Sequence, residues 1–299
     1  MRVKFTDVDG VPTRYHFEGS GYPLMLLHGG GVSGECWLRN IDALAEHFHV
    51  VAPDCLGIGF TGTGDWTGGP PHAYVVKHLF GLADHLGFDR FAMAGSSLGA
   101  MMAILAHLEA PRRVEKLILV SSGSSTLAQD EIGRVLEESL ANGISAYANP
   151  TYAACLKRMQ NVFHNPDDVP PELILSQLTT YRLPGALEAY KMRMEGLMDV
   201  EAMRPYRTRE RLHEIEAPTL LIWGLNDPRV IFSRAEEAAA KIADSKLVGF
   251  ARCKHAPHME HPERFNALVK RFLKSEPLGE AKLATRSDGG AGEPFAPGA

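Results

Sequence analysis

Residues 90–108 (RFAMAGSSLGAMMAILAHL) constrain the fold of this chain more than any other segment. A short apolar run at 91–94 has the length of a fully buried strand, and the Ala-, Met- and Leu-rich run at 100–108 is typical of a buried helix. Between them, G-S-S-L-G occupies 95–99. A strand that passes into a helix this abruptly strains its central residue, and glycines without a Cβ allow the two elements to approach. The pattern predicts that the Ser97 hydroxyl is held at the C-terminal edge of a sheet, above a helix N-terminus.

A second glycine-rich turn, HGGG at 28–31, follows a short apolar strand pattern. Successive glycines leave backbone N–H groups open because no Cβ shields them. We predict that the N–H groups of Gly30 and Leu98 form an oxyanion hole, since a turn of this type before a serine elbow supplies one of the two donors. A flexible loop is the plainer alternative. Gly31 is assigned to the substrate pocket, and His28 is expected to brace the loop rather than to react.

Strand and helix patterns alternate over residues 1–123 and 213–274. Strands are predicted at 2–6, 13–18, 24–27, 49–52, 91–94, 114–120, 218–223 and 246–250, and helices at 72–86, 100–108, 233–242 and 262–273. Alternation of this kind implies a mostly parallel sheet with right-handed crossovers. We therefore predict an α/β fold whose central sheet is flanked by helices.

Residues 124–212 differ from this core, because they show helical patterns, no convincing strand and several methionines. We expect them to form a helical cap over the strand ends, where a methionine-rich surface suits a flexible or aromatic small molecule. Ser96, Trp37 and Met159 are assigned to the resulting pocket. From residue 275 the chain turns to Gly, Pro, Ala and charged residues, so 275–299 is expected to be a disordered tail.

Ser97 needs a base within hydrogen-bond reach, and that base needs a carboxylate to fix its tautomer. Ligands of open α/β sheets lie at the C-terminal ends of the strands, so both partners should directly follow strands. Asp227 and His255 meet this condition, and the order Ser-Asp-His is the one expected with this serine turn. The rival acids are weaker candidates. Asp54 precedes a glycine-rich turn (D-x-x-G-x-G), and Asp130 lies inside the predicted cap.

Three histidines close together, His255, His258 and His261, raise the alternative of a metal site. Pro257 and Pro262 interrupt any helix through them, and no H-E-x-x-H motif occurs in the sequence. His258 and His261 are therefore expected to be structural. We predict neither a metal nor a cofactor.

The formal net charge of −5 argues against a nucleic-acid partner. The four cysteines are widely spaced, which favours reduced thiols. Neither a secretory leader nor an apolar run of membrane-spanning length is visible in the sequence. The expected partner is a small-molecule substrate, the expected location is the cytoplasm, and a homo-oligomer is left open.

The signals HGGG, GSSLG, WGLNDP (223–228) and RCKHAPHMEHPERFN (252–266) give residues 1–274 a resemblance to the α/β-hydrolase family with a helical cap. Within it the chain is most similar to meta-cleavage product hydrolases, which break a C–C bond in a vinylogous diketone acid. The glycine triplet and NPDDVPPELILSQ (165–177) carry that likeness.

The chain departs from that narrower group at three positions. The residue before the nucleophile is usually Asn in those enzymes and is Ser96 here. The residue after the catalytic histidine is often Trp in those enzymes and is Ala256 here. Gln177, also assigned to the pocket, stands where those enzymes carry an arginine for the substrate carboxylate. Arg182 and Arg193 are the candidates for supplying that missing cation.

The leading interpretation is a cofactor-free serine hydrolase that cleaves a small carboxylic ester or related acyl substrate through an acyl-enzyme. The alternative is C–C hydrolysis of a meta-cleavage product of the 2-hydroxy-6-oxo-dienoate type. A third hypothesis is a ligand-binding protein that keeps the fold without turnover. Haloalkane dehalogenases and epoxide hydrolases resemble this fold too, but they need a carboxylate where Ser97 stands.

Overall fold

The computed structural model describes residues 1–279 and 283–284, and it is built around one nine-stranded sheet. The strands are β1 (Arg2–Val8), β2 (Val11–Glu18), β3 (Pro23–Leu27), β4 (His49–Pro53), β5 (Phe91–Ser96), β6 (Val114–Val120), β7 (Thr219–Gly224), β8 (Ser245–Phe250) and β9 (Leu283–Ala284). Their order is β1-β2-β4-β3-β5-β6-β7-β8-β9. The six strands from β4 to β8 in this order pair in parallel, whereas β1, β2 and β9 join antiparallel. The predicted α/β fold with a mostly parallel sheet is confirmed.

Helices and short 3-10 turns connect the strands. The α-helices are α1 (Ile41–Ala45), α2 (His72–His85), α3 (Leu98–Glu109), α4 (Gly123–Thr126), α5 (Gln129–Ala148), α6 (Tyr152–Gln160), α7 (Pro171–Thr180), α8 (Ala186–Met198), α9 (Phe232–Ala239), α10 (Pro257–Glu260) and α11 (Pro262–Leu273). The 3-10 turns are Gly34–Trp37, Pro166–Asp168, Arg204–Tyr206, Thr208–Glu210 and Leu212–Glu214. Each predicted helix therefore has a counterpart, with boundaries that shift by a few residues.

The core lies on both faces of the central strands. All six residues of β5 are buried, as are all six of β7. Strands of a parallel sheet are covered on both faces, which explains why their sequences are continuous apolar runs rather than alternating ones. On α11, Phe265, Leu268, Val269 and Phe272 are buried at helical spacing, so this helix covers the sheet with a single apolar stripe.

Residues 124–212 contain helices and 3-10 turns and no strand. They connect the C-terminal end of β6 to the N-terminal end of β7, which runs parallel to β6. Helices α5, α6 and α8 contribute side chains to the same cavity as the turn between β5 and α3. The sequence composition of this region thus corresponds to an all-helical insertion.

The disorder predicted for 275–299 falls mainly on residues outside the described part of the chain. Where the structure does describe this segment, Leu283–Ala284 pairs antiparallel with Val248 and Leu247 of β8. The ninth strand was not predicted, because two residues are too few to carry a periodic pattern. In the described residues, no helix is long and apolar enough to cross a membrane.

Candidate active site

Ser97 occupies the turn between β5 and α3 with a strained backbone, at φ +53° and ψ −117°. A Cβ on Gly95 would collide with the backbone of Gly99, and one on Gly99 would collide with the carbonyls of Leu27 and His28. Both glycines are therefore required by the close approach of β5, α3 and the glycine loop, which we define as residues 28–31. The elbow is also tied to the sheet, since the N–H of Ser97 donates to the Val120 carbonyl of β6 at 2.8 Å.

His255 and Asp227 form a hydrogen-bonded pair at the ends of β8 and β7. The His255 Nδ1 donates to Asp227 Oδ2 at 2.7 Å, and the Asp227 side chain is fully buried. The other oxygen, Oδ1, accepts the backbone N–H groups of Arg229 at 2.9 Å and Val230 at 3.3 Å. A carboxylate held in this way fixes the tautomer with the proton on Nδ1, which leaves Nε2 free to act as a base.

Ser97 and His255 line one cavity, which has about 1230 Å³ of unfilled space, partly open to solvent. Its wall is largely apolar, with Met101 from α3, Leu136 from α5 and Met194 from α8. Within the described chain, the Ser97 hydroxyl makes no hydrogen bond. Contacts between a nucleophile and its base are often long without substrate and tighten when it binds. The arrangement brings a hydroxyl, an imidazole and a carboxylate to one end of the sheet.

Gly30 and Leu98 line the same cavity as Ser97. Leu98 is the first residue of α3, so its N–H has no partner within the helix. The N–H of Gly30 likewise donates to no residue that the structure describes. Two N–H groups without a partner could stabilise an oxyanion formed at Ser97 if both point to it, and the helix N-terminus adds a partial positive charge.

The glycine loop is held from both sides. His28 donates from Nδ1 to the Gly29 carbonyl at 2.8 Å, and its Nε2 accepts the Cys55 N–H at 2.9 Å. Burial lowers the pKa of His28, so its imidazole stays neutral and serves as this brace. From the helical region, the Tyr181 hydroxyl donates to the Gly31 carbonyl at 2.7 Å.

Of the predicted pocket residues, Gly31, Ser96 and Met159 line the cavity, whereas the structure places Trp37 and Gln177 outside it. Trp37 is fully buried in the core and packs on the side chains of α10 and α11. Gln177 is buried beneath the wall, where its Nε2 donates to the Gly31 carbonyl at 3.1 Å and contacts Met159 Sδ at 3.2 Å. Its structural role is therefore to hold the glycine loop.

The histidines near His255 have structural surroundings. His258 is buried between Trp37 and Phe265, and burial lowers its pKa to about 3. His261 is half-buried, and its Nε2 contacts the Arg252 carbonyl at 3.0 Å. Among the described residues, no three His, Cys, Asp or Glu side chains are placed to hold a metal.

The rival acids lie elsewhere. Asp54 is fully buried in an ion pair with Arg14 at 2.7 Å, and it also accepts the N–H groups of Gly34 and Phe60. It therefore organises the turn after β4. Asp130 is exposed at the start of α5 and does not line the cavity.

Glu260 is a site residue that was not predicted from the sequence. Its carboxylate accepts the backbone N–H groups of Lys254 at 2.9 Å and Ala256 at 3.4 Å, on either side of His255. It also accepts the N–H of His164 from the helical region at 2.6 Å. The sequence offers only an acidic residue a few positions beyond the predicted base as a signal, since the short helix α10 that carries it was not predicted.

Two arginines, Arg158 and Arg229, also line the cavity and were likewise not predicted. The candidates named from the sequence do not reach it. Arg182 is exposed and donates to a backbone carbonyl, whereas Arg193 is buried and donates to the Gly57 carbonyl at 2.7 Å. Whether an arginine reaches the cavity depends on how the helices pack, and no local motif marks it.

Residues 24–268 match the model of the alpha/beta hydrolase family. Over 292 residues the chain is 32% identical to a 2-hydroxy-6-oxononadienedioate/2-hydroxy-6-oxononatrienedioate hydrolase of Pseudomonas putida, covering 91% of this chain and 95% of the relative. It is 28% identical to a 2-hydroxy-6-oxo-6-phenylhexa-2,4-dienoate hydrolase of Comamonas testosteroni, covering 91% and 95%. A solved hydrolase of the latter name from Rhodococcus superposes with a TM-score of 0.75 at 21% identity, over 91% of this chain and all of that one.

Proposed function

The chain belongs to the alpha/beta hydrolase family, and from this premise we propose that it hydrolyses a carbon–carbon bond in a vinylogous diketone acid. The proposal uses Ser97 as nucleophile, His255 as base and Asp227 as its orienting carboxylate. Residues 124–212 would act as a cap that encloses the substrate. The observation that supports it is the shared cavity, which is lined both by Ser97 and by His255, whose imidazole is hydrogen-bonded to the buried carboxylate of Asp227.

The relatives favour carbon–carbon cleavage over the ester hydrolysis that was first inferred from the residues. Curated relatives over about nine-tenths of the chain are hydrolases of 2-hydroxy-6-oxo-dienoates and dienedioates. The largely apolar cavity is compatible with a conjugated chain. An ester would be attacked by the same three side chains, so the nature of the leaving group has to be tested directly.

In the first half-reaction, Ser97 Oγ adds to the ketone carbonyl while His255 Nε2 takes its proton. The resulting oxyanion accepts hydrogen bonds from the N–H groups of Gly30 and Leu98, and one such donor is typically worth about 3 kcal/mol in the barrier. The step requires the diketo tautomer of the dienol, in which the enol proton has moved to the carbon next to the reacting ketone and made it saturated. When the tetrahedral carbon collapses, the C–C bond to that saturated carbon breaks, and its electron pair delocalises through the neighbouring C=C bond to the second carbonyl. His255 then returns the proton to the leaving fragment, and an acyl ester on Ser97 remains.

In the second half-reaction, water replaces the departed fragment. His255 Nε2 removes a proton from that water, whose oxygen attacks the acyl ester. The same two N–H groups stabilise the second oxyanion. Collapse releases a carboxylic acid and returns the proton to Ser97. One water is consumed per carbon–carbon bond, and no redox partner is required.

The experiment compares two substrates on the full chain. A yellow dienol ring-cleavage product should lose its absorbance on mixing, with a kcat/KM well above that for a p-nitrophenyl ester of similar size. Ser97→Ala should lower turnover of both substrates by at least about 1000-fold with an unchanged circular dichroism spectrum. Ser233→Ala, which alters an exposed serine on α9, is the matched control and should behave as the unmodified protein.

Three other outcomes would contradict the proposal. Turnover of esters without loss of dienol absorbance would replace it by ester hydrolysis. Normal turnover in Ser97→Ala would remove the serine from the mechanism. Tight substrate binding without any acyl adduct on Ser97, measured by mass spectrometry in a single turnover, would indicate a ligand-binding protein.

A further inference from the structure

The Arg158 guanidinium lies at the junction of the four long helices of the 124–212 region. It projects from α6 toward three stacked tyrosines: Tyr147 of α5, Tyr181 at the end of α7 and Tyr190 of α8. The guanidinium carbon lies 5.8, 5.6 and 5.4 Å from their ring centroids, respectively. Tyr147 stacks on Tyr181 at 3.7 Å and on Tyr190 at 4.6 Å, so the rings form a rigid support. Aromatic faces attract a cation but do not neutralise it.

Arg158 keeps unused hydrogen-bonding capacity at the cavity wall. Its Nη1 is buried with no partner among the described residues, and in that part of the chain it forms no salt bridge. A Cβ on residue 31 would collide with its guanidinium. Glycine at this position therefore allows Arg158 to approach the glycine loop. Burying a charged donor without a partner is costly, which is typical of a group that acts on a ligand.

Arg229, on the loop after β7, supplies a second positive charge to the same cavity. Burial lowers the pKa of its guanidinium, and the nearby charge of Arg158 acts in the same direction while the Asp227 carboxylate opposes it. Asp227 is committed to His255 and to backbone N–H groups, and Glu138 on α5 is exposed. Arg229 forms no salt bridge within the described chain, so two neighbouring cations face the cavity without a bound carboxylate.

We propose that Arg158 and Arg229 form one cationic subsite that binds a carboxylate group of the substrate beside the oxyanion hole. A planar guanidinium donates two parallel hydrogen bonds to a carboxylate, and the apolar surroundings strengthen them. The subsite would supply the positive charge for the substrate carboxylate, which the neutral side chain of Gln177 cannot supply. This inference deepens the proposed function and rests on it for the identity of the remainder of the substrate. The expectation that the ligand carries an anionic group depends on the two arginines alone.

The test uses two p-nitrophenyl esters of similar length on the full chain, the monoester of glutaric acid with a free carboxylate and the neutral butyrate. Arg158→Met keeps the length of the side chain and removes the charge. It should lower kcat/KM for the charged ester about 10- to 100-fold, in line with loss of a charge-assisted pair of hydrogen bonds, and that for the neutral ester less than about threefold. Arg229→Met should act in the same direction, and Arg158→Lys should recover part of the loss.

Arg182→Met is the matched control, because Arg182 is exposed and lies outside the cavity, and it should leave both esters unaffected. Calorimetric titration with glutarate gives a readout independent of turnover: the unmodified protein should bind it, and Arg158→Met should weaken binding by a similar factor. Glutarate binding would therefore support the subsite even in a chain that fails to cleave carbon–carbon bonds.

Two results would overturn the proposal. The first is an equal loss for the charged and neutral esters in both Arg158→Met and Arg229→Met, which would mean that the arginines only support the fold. The second is glutarate binding that is the same in the unmodified chain and both variants. If Arg158→Met does not fold, Arg229→Met alone decides between these results, since its side chain makes no hydrogen bond in the described structure.

Discussion

Replacing His72 by phenylalanine should make the protein markedly less sensitive to acid. His72 opens α2 and is fully buried, with its ring stacked on Tyr206 at a centroid distance of 4.9 Å. Neither ring nitrogen has a hydrogen-bond partner among the described residues. Burial therefore disfavours the charged form and lowers the pKa of His72 to about 3.

The size of the effect follows from proton linkage. An unfolded chain has an ordinary histidine pKa of about 6.5, so below that pH the unfolded state binds a proton that the folded state excludes. Because the folded pKa is depressed, the stability contribution is complete above about 6.5 and is lost as the pH falls toward about 3. At pH 5 the loss from this one group is about 2 kcal/mol relative to pH 8.

The assay is urea unfolding at pH 8 and pH 5, followed by circular dichroism. On acidification the unmodified protein should lose about 2 kcal/mol more unfolding free energy than His72→Phe. Phenylalanine has no titratable group and keeps a planar ring that can stack on Tyr206. His213→Phe, at an exposed position, is the control and should lose as much as the unmodified protein. Equal losses in His72→Phe and the unmodified chain would refute the reasoning.

Two further predictions concern the elbow and the glycine loop. Gly99→Ala should lower the free energy of unfolding by about 3 kcal/mol or more, because the added Cβ would collide with the backbone carbonyls of Leu27 and His28. The measurement is the shift of the urea midpoint. Gly133→Ala, in an open position on α5, should instead stabilise the protein by up to about 1 kcal/mol, and similar behaviour of the two variants would contradict this account. Tyr181→Phe should lower kcat about fivefold by releasing one hydrogen bond to the Gly31 carbonyl, whereas Tyr152→Phe, at an exposed position, should not. Equal kcat values in the two tyrosine variants would count against a role for that bond.

Much of this architecture could be predicted because its signals are local. The parallel strands are continuous apolar runs, and the strained turn at Ser97 needs glycines at fixed positions on either side. Asp227 and His255 could be named because strand ends meet at one edge of a sheet. These assignments required only the order of elements along the chain.

The remaining features depend on packing that no local pattern encodes. Arg158 faces the cavity because four helices place three tyrosines around it, and each of those residues is unremarkable in its own helix. Trp37 was assigned to the pocket from the sequence, but residues of α10 and α11 pack on it. Gln177 occupies an expected place in the sequence yet turns toward the loop backbone rather than the cavity.

The backbone of His255, the proposed base, is hydrogen-bonded to the helical insertion. The N–H of His255 donates to the Val162 carbonyl at 3.1 Å, and Glu260 joins the same loop to the N–H of His164. Moving residues 162–164 away from the sheet would therefore break or stretch hydrogen bonds at the His255 backbone and at the Glu260 carboxylate. A chimaera that takes residues 124–212 from a relative has to keep the carbonyl at 162 and the N–H at 164 in these positions. Otherwise the loop that carries His255 loses both hydrogen bonds.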